Sequence, residues 1–239
     1  LGDWAMEQPE EHVTTVLKGL KAISPETNYN FLDLGWNVRL LSDNQIKEAV
    51  QQARNSDLAI LVVGENSMRY HWNEKTCGEN SDRYELSLPG RQQELVKAVA
   101  ATGVPTVVIL VNGRPLTTEW IDENMPCIIE AWEPGVAGGQ ALAEILYGKV
   151  NPSGKLPITI PRSTGQIQCM YNHKFTNHWF PYATGNSLPL YEFGYGLSYT
   201  TYKYENLKLS EATITPDKSV KVTVDVTNTG KMDGEETVQ

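Results

Sequence analysis

Long apolar runs, basic clusters, paired cysteines and internal repeats are all missing from this sequence. The longest apolar stretches, residues 58–63 and 104–111, the second broken by Pro105 and Thr106, fall far short of the roughly 20 residues a membrane-spanning helix requires. No bilayer crossing is predicted. Lys and Arg never gather into a stripe, and 20 of them against 29 Asp and Glu leave a net charge of −9. Such a surface repels a polyanion, so nucleic acid is excluded as a partner.

Cysteine is scarce and odd in number. Cys77, Cys127 and Cys169 show neither C-x-x-C nor Cys/His ligand spacing, which predicts no metal site and no disulfide framework, only buried or incidental thiols. His173 and His178 sit in a polar stretch without a carboxylate or Cys at ligand spacing. No G-x-x-x-x-G-K-S/T or G-x-G-x-x-G follows a predicted strand, so no nucleotide cofactor is expected. Ser81 near His71 lacks the G-x-S-x-G context of a nucleophilic serine. There is also no opening Met, and residues 235–239 read as the start of an unfinished strand, so both ends are expected to be cuts in a longer chain.

What is present is an alternation of helical and strand patterns over residues 10–147. Val13, Val16, Leu17 and Leu20 share one helical face. Ser42 followed by Gln45 makes a capping box before Ile46, Ala49, Val50 and Ala53, with Asn55-Ser56-Asp57 as the stop. Residues 58–63 form a continuous apolar run, the signature of a strand covered on both faces. Helix is predicted again over 92–101, strand over 104–111, strand over 127–132 and helix over 136–146. The fold class implied is α/β: a three-layer α/β/α sandwich around a mostly parallel sheet. Residues 151–190, rich in Pro, Gly, Asn and aromatics, read as loop and linker. Val220, Val222, Val224 and Val226 then alternate with polar residues, and turn signals follow at Asn228-Thr229-Gly230 and Asp233-Gly234, which predicts the opening of a second, all-β domain.

In open α/β sheets ligands gather beyond the carboxyl ends of the strands. The segment there, residues 64–89, is a long polar and aromatic loop, and loops of this length in compact domains are usually functional or disordered. It holds Glu65, Glu74, Glu79, Asp82 and Glu85 interleaved with Arg69, His71, Lys75 and Arg83, beside Tyr70 and Trp72. Carboxylates among aromatics fit a sugar site and equally a solvated mixed-charge surface. Gly135, Gly138 and Gly139 at a helix start fit either an anion site or close helix-to-sheet packing.

Several stretches taken in order resemble glycoside hydrolase family 3: VVGEN at 62–66, GENSDRYELSLPGRQQELV at 78–96, VNGRPL at 111–116, EAWEPGVAGGQALAEILYG at 130–148, NPSGKLPITIPRS at 151–163 and PLYEFGYGLSYTTY at 189–202. The resemblance implies an α/β sandwich over 1–163, a loop-rich linker over 164–200 and an incomplete fibronectin-type-III-like β domain over 201–239. LGDWA at 1–5 resembles the segment just after the linker from the family's N-terminal barrel, so the barrel and its nucleophilic aspartate are expected elsewhere in the parent chain.

The family's acid/base glutamate lies on the loop after this sandwich strand, and the matching residue is Glu79, with Glu74 and Glu65 as fallbacks. Trp72 and Tyr70 are implied to stack on sugar and Arg83 to anchor the loop at the substrate site, with no metal and no cofactor. The expected function is that of the C-terminal part of a retaining β-glucosidase or β-xylosidase acting on β-linked oligosaccharides or glycosides, inactive without the barrel and extracytoplasmic by family habit. The alternative is a stand-alone carbohydrate-binding or interaction module.

Overall fold

The computed structural model describes residues 8–68, 71–166, 168–172 and 182–239. LGDWA at 1–5, Tyr70, His173 and His178 lie outside them. Three strands, β1 (Ala59–Gly64), β2 (Thr106–Val111) and β3 (Cys127–Glu130), form a parallel sheet in the order β1-β2-β3. Helices α1 (Val16–Ile23), α2 (Asp43–Arg54), α3 (Gln92–Ala100), α4 (Glu119–Asn124) and α5 (Gly138–Leu146) complete the unit.

Alternation along β2 generates the three layers. Val107 and Ile109 face Leu142 of α5, with Val16 of α1 packed alongside. Val108 and Leu110 face the other way, onto Val96 of α3 and Ile121 of α4, and α2 joins that layer through Ile46, Ala49 and Ala53 against Leu95 and Val99. Val108 and Ile109 are fully buried, each stabilising the sheet by about 1.5–3 kcal/mol.

The strand covered on both faces is therefore β2. On β1, where the unbroken apolar run predicts the same, Val62 is 50% exposed. The reason is position: β1 is an edge of the described sheet, and the α1–α5 layer does not extend over Val62.

Local signals act as expected at α2, where Ser42 and Gln45 form the reciprocal capping box. At α1 the helix starts later than the apolar pattern, because Thr15 caps it by accepting from the Lys18 N–H at 3.2 Å. Val13 belongs to the short turn before it. The glycines at the start of α5 serve packing. A Cβ on Gly139 would lie 2.1 Å from the Thr15 carbonyl carbon, and one on Gly19 would lie 2.2 Å from the Gly139 oxygen, so α1 and α5 touch backbone to backbone.

The stretch expected to be linker folds back in part. Ile160 N–H donates to Tyr191 O, and Leu156 N–H to Tyr195 O, both at 2.8 Å. A small antiparallel sheet follows, β4 (Tyr202–Leu209) paired with β5 (Val222–Asn228). A register shift between Glu205 and Lys208 coincides with Asn206 at φ 55°, as in a β-bulge. Residues 235–239 do not form the strand their sequence predicts. They return to the sandwich, with Thr237 Oγ1 donating to Ser153 O at 3.0 Å and Lys155 Nζ 3.6 Å from Glu236 Oε2.

Candidate active site

β1 and β2 run in step, Gly64 beside Val111, so the chain leaves both strands at the same level. A Cβ on Gly64, at φ 143°, would come 1.9 Å from Val111 O, and only glycine allows this approach. The Gln92 side chain then brackets Gly64, accepting from its N–H at 2.9 Å and donating to its O at 2.7 Å. The loop of residues 65–89 is thus launched from a fixed point.

Its first residue, Glu65, has a side chain with no exposed surface. Two guanidiniums clasp the carboxylate. Arg83 Nη1 lies 3.2 Å from Oε1; Arg114 Nε lies 3.2 Å from Oε1 and 3.3 Å from Oε2; and the Gly113 N–H donates to Oε2 at 3.4 Å. Both arginines also reach backbone. Arg83 Nη2 donates to Ser87 O at 2.7 Å, and Arg114 Nη2 donates to Ser81 O at 2.5 Å and Thr76 O at 3.3 Å.

A second closure divides the loop. Thr76 N–H donates to Asn66 O at 2.6 Å, and Asn66 N–H donates to Thr76 Oγ1 at 2.8 Å. Of the residues between them, 71–74 lean on residues 36–39 as a lobe. His71 stacks on Trp36 at 3.9 Å, Glu74 Oε2 accepts from Asn37 at 2.6 Å and Asn73 O accepts from Arg39 at 3.3 Å. Trp72 is half exposed, with the buried Lys75 ammonium 3.3 Å from its ring centre.

After the pinch, residues 78–81 make a turn closed by Ser81 N–H donating to Gly78 O at 3.2 Å. Gly78 at φ 93° and Asn80 at φ 56° flank Glu79 in the left-handed region that Gly and Asn tolerate best. Glu79, in the second position of this turn, is exposed.

The ends of β2 and β3 form the floor. Glu130 accepts from the Trp132 N–H at 3.1 Å, and burial pushes its carboxyl up to about 7 against the opposing pull of that N–H and of Asn112. Trp132 holds φ 49° while its carbonyl accepts from Asn112 N–H at 3.2 Å, a structural role at the strand end. Cys77 Sγ sits 3.8 Å from Glu133 Oε1; burial, then Glu65 and Glu133, raise the thiol to about 12, so it is protonated and unreactive. Among the described residues no three His, Cys, Asp or Glu side chains converge to hold a metal ion.

The model for the glycosyl hydrolase family 3 C-terminal domain matches residues 1–199. The chain belongs to this family. It is 40% identical over 232 residues to a β-xylosidase of Formosa agariphila, covering 95% of this chain and 31% of that protein. It is 42% identical to a periplasmic β-glucosidase of Salmonella typhimurium, covering 81% of this chain and 26% of that one. A crystal structure of β-glucosidase from Listeria innocua in complex with isofagomine superposes with a TM-score of 0.82 at 29% identity, over 98% of this chain and 33% of its own. The chain thus spans about a third or less of the length of these proteins.

Of the family-implied residues, the loop separates rather than gathers the three glutamates: Glu65 is interior, Glu74 belongs to the lobe and Glu79 rides the inner turn. Arg83 directs Nη1 to Glu65 and Nη2 to the Ser87 carbonyl. Sequence reasoning assigned no role to Arg114, Glu130, Glu133 or Asn112. The signal available was their place, at or just past the carboxyl ends of β2 and β3. Among the described residues no helix is long and apolar enough to cross a membrane.

Proposed function

We propose that this chain is the part of a retaining β-glycosidase that supplies the general acid/base, Glu79, to a nucleophilic carboxylate carried by a barrel domain of the same protein. One observation carries the choice of residue. Glu79 is the exposed member of the three, on a turn at the carboxyl edge of the sheet, whereas Glu65 is buried between two guanidiniums and Glu74 is held by Asn37. A carboxylate whose two oxygens are both taken up by arginines and buried has no face left to meet a leaving oxygen.

Retaining hydrolysis uses two carboxyl groups about 5 Å apart. The nucleophile attacks the anomeric carbon while Glu79 protonates the departing oxygen, and the glycosidic C–O bond breaks. Glu79, now ionised, takes a proton from water as that water displaces the nucleophile. One carboxylate cannot complete this cycle, so the chain by itself is inactive. Substrates are β-linked glucosides or xylosides, with Trp72 offering a flat face to the aglycone side; Tyr70, outside the described residues, is the second aromatic we assign to sugar binding. The similarity to a periplasmic relative supports an extracytoplasmic location. We read residues 1–163 as the sandwich, 164–200 as the connection and 201–239 as part of a fibronectin-like domain.

The test is Glu79→Ala in the complete protein, assayed on nitrophenyl and alkyl β-glucosides with and without azide. Expected is a loss on the order of 100-fold or more on the alkyl glycoside, a much smaller loss in glycosylation by the good leaving group, and recovery of turnover by azide. Near-normal activity on the alkyl glycoside would reject Glu79.

A further inference from the structure

We propose that Arg114 is the positioning residue of the acid/base turn, setting how far Glu79 stands from the sheet; the inference rests on the assignment of Glu79 above. Arg114 lies just past β2, not on the loop it controls. Its Nη2 donates to the carbonyls of Thr76 and Ser81, which bracket the four residues 77–80. The same side chain is braced from behind by Glu65, through Nε. Glu65 in turn is held by Arg83, whose other end grips Ser87 O. The loop is therefore gripped at residues 76, 81, 83 and 87, and Arg114 bonds both shoulders of the Glu79 turn. Its neighbour Asp82, 3.8 Å away and fully exposed, adds little to this grip.

The geometry requires arginine. One planar fork serves a carboxylate with Nε and two carbonyls with Nη2, and lysine, with one compact ammonium, cannot do both. A general acid works only within hydrogen-bond reach of the oxygen it protonates, and a misplacement of about 1 Å can cost on the order of 100-fold. Arg114 touches neither substrate nor reacting atoms in this scheme. Its effect reaches the chemistry through Glu79.

The complete protein is compared with Arg114→Lys, Arg114→Met, Glu79→Ala and the Arg114→Lys/Glu79→Ala double variant. Read out are kcat/KM on a dinitrophenyl and an alkyl β-glucoside, azide acceleration, and the thermal midpoint. Expected for Arg114→Lys is a loss on the order of 100-fold on the alkyl glucoside, only a small loss on the dinitrophenyl glucoside, and no further loss when it is added to Glu79→Ala. An equal loss on both glycosides, a loss that multiplies with that of Glu79→Ala, or no loss overturns the proposal. If Arg114→Met fails to fold, the lysine variant, which keeps a charge against Glu65, decides. If Glu79→Ala shows neither leaving-group dependence nor azide rescue, the acid/base assignment falls and the positioning role with it. If Glu79→Ala shows both and Arg114→Lys shows neither, only the positioning role falls.

Discussion

The loop after β1 contains two stretches of similar composition held by different forces. Residues 67–75 are tied to residues 36–39 by an aromatic stack, a side-chain bond to Glu74 and a bond to one carbonyl. Residues 76–87 are tied to the sheet by a buried carboxylate and two arginines that bind three of the loop's own carbonyls. In the first, these three contacts are independent of one another and replaceable. In the second the members depend on one another, because each would be a buried unpaired charge without the rest. A mixed-charge loop sequence does not reveal which half is which.

The contrast is broken most severely at Glu65. Glu65→Ala leaves two guanidiniums facing each other over a void, and the expected cost is about 3–5 kcal/mol of unfolding free energy, read by denaturant titration. Glu65→Gln keeps the volume and one acceptor and is expected to cost less. A cost below about 1 kcal/mol for the alanine variant would mean that the clasp is ornamental and the two halves of the loop are alike.

Next in size is the floor beneath the clasp. The Glu130 carboxyl is raised from 4.5 to about 7 in the folded chain by burial, so the fold prefers it neutral. Below the unfolded value both states are protonated and there is no penalty. As pH rises from the unfolded value towards the folded one, the unfolded chain ionises while the buried native carboxyl stays protonated, and stability falls until about pH 7, by an amount on the order of 3 kcal/mol. Glu130→Gln is expected to remove that fall, so wild type and variant should diverge between about pH 4.5 and pH 7 and run parallel above it. Parallel stability curves would show that Glu130 is already solvated.

These two groups also mark what could be read in advance. The α2 capping box and the strand at β2 were legible because they depend on neighbours within a few residues or on a continuous apolar run. The partnership of Glu65 with Arg114 spans 49 positions and exists only because Gly64 and Val111 end their strands side by side. No local pattern encodes such a pairing. Helix α4, six residues long, is too short for a helical period to register, and the exposure of Val62 depends on where the helical layer ends, which the apolar run of β1 cannot report. The VNGRPL motif that contains Arg114 stood out in the sequence for its resemblance alone, and its physical task appears only once the loop is seen lying over it.

In the outer lobe the effects shrink. Trp72→Ala removes the ring beneath the buried Lys75 ammonium, and an expected loss of about 1 kcal/mol follows from that contact. If Trp72 also meets the aglycone, aryl glycosides should show a raised KM with kcat preserved, the mark of binding shared by ground and transition states. A drop in kcat of the size expected for Arg114→Lys would instead make the lobe part of the acid/base support and erase the distinction.

The smallest change in stability is expected from the largest edit. Asn66 and Thr76 already bond to each other, so residues 67–75 can be replaced by two glycines without moving either end. The replacement discards the Trp36, Asn37 and Arg39 contacts, all at or near the surface, and removes Lys75 together with the ring beside it. Shortening the excursion also returns closure entropy, about 0.6 kcal/mol for each halving of length. The two effects nearly cancel, and the unfolding free energy should change by less than about 1 kcal/mol, less than for Trp72→Ala, which empties the lobe but keeps its ammonium. Gutting a lobe should cost more than removing it, because only the first keeps the buried Lys75 while taking away the ring beside it. A deletion that unfolds the chain would show that the lobe supports the turn after all, and that the pinch at Asn66 and Thr76 is not a true boundary.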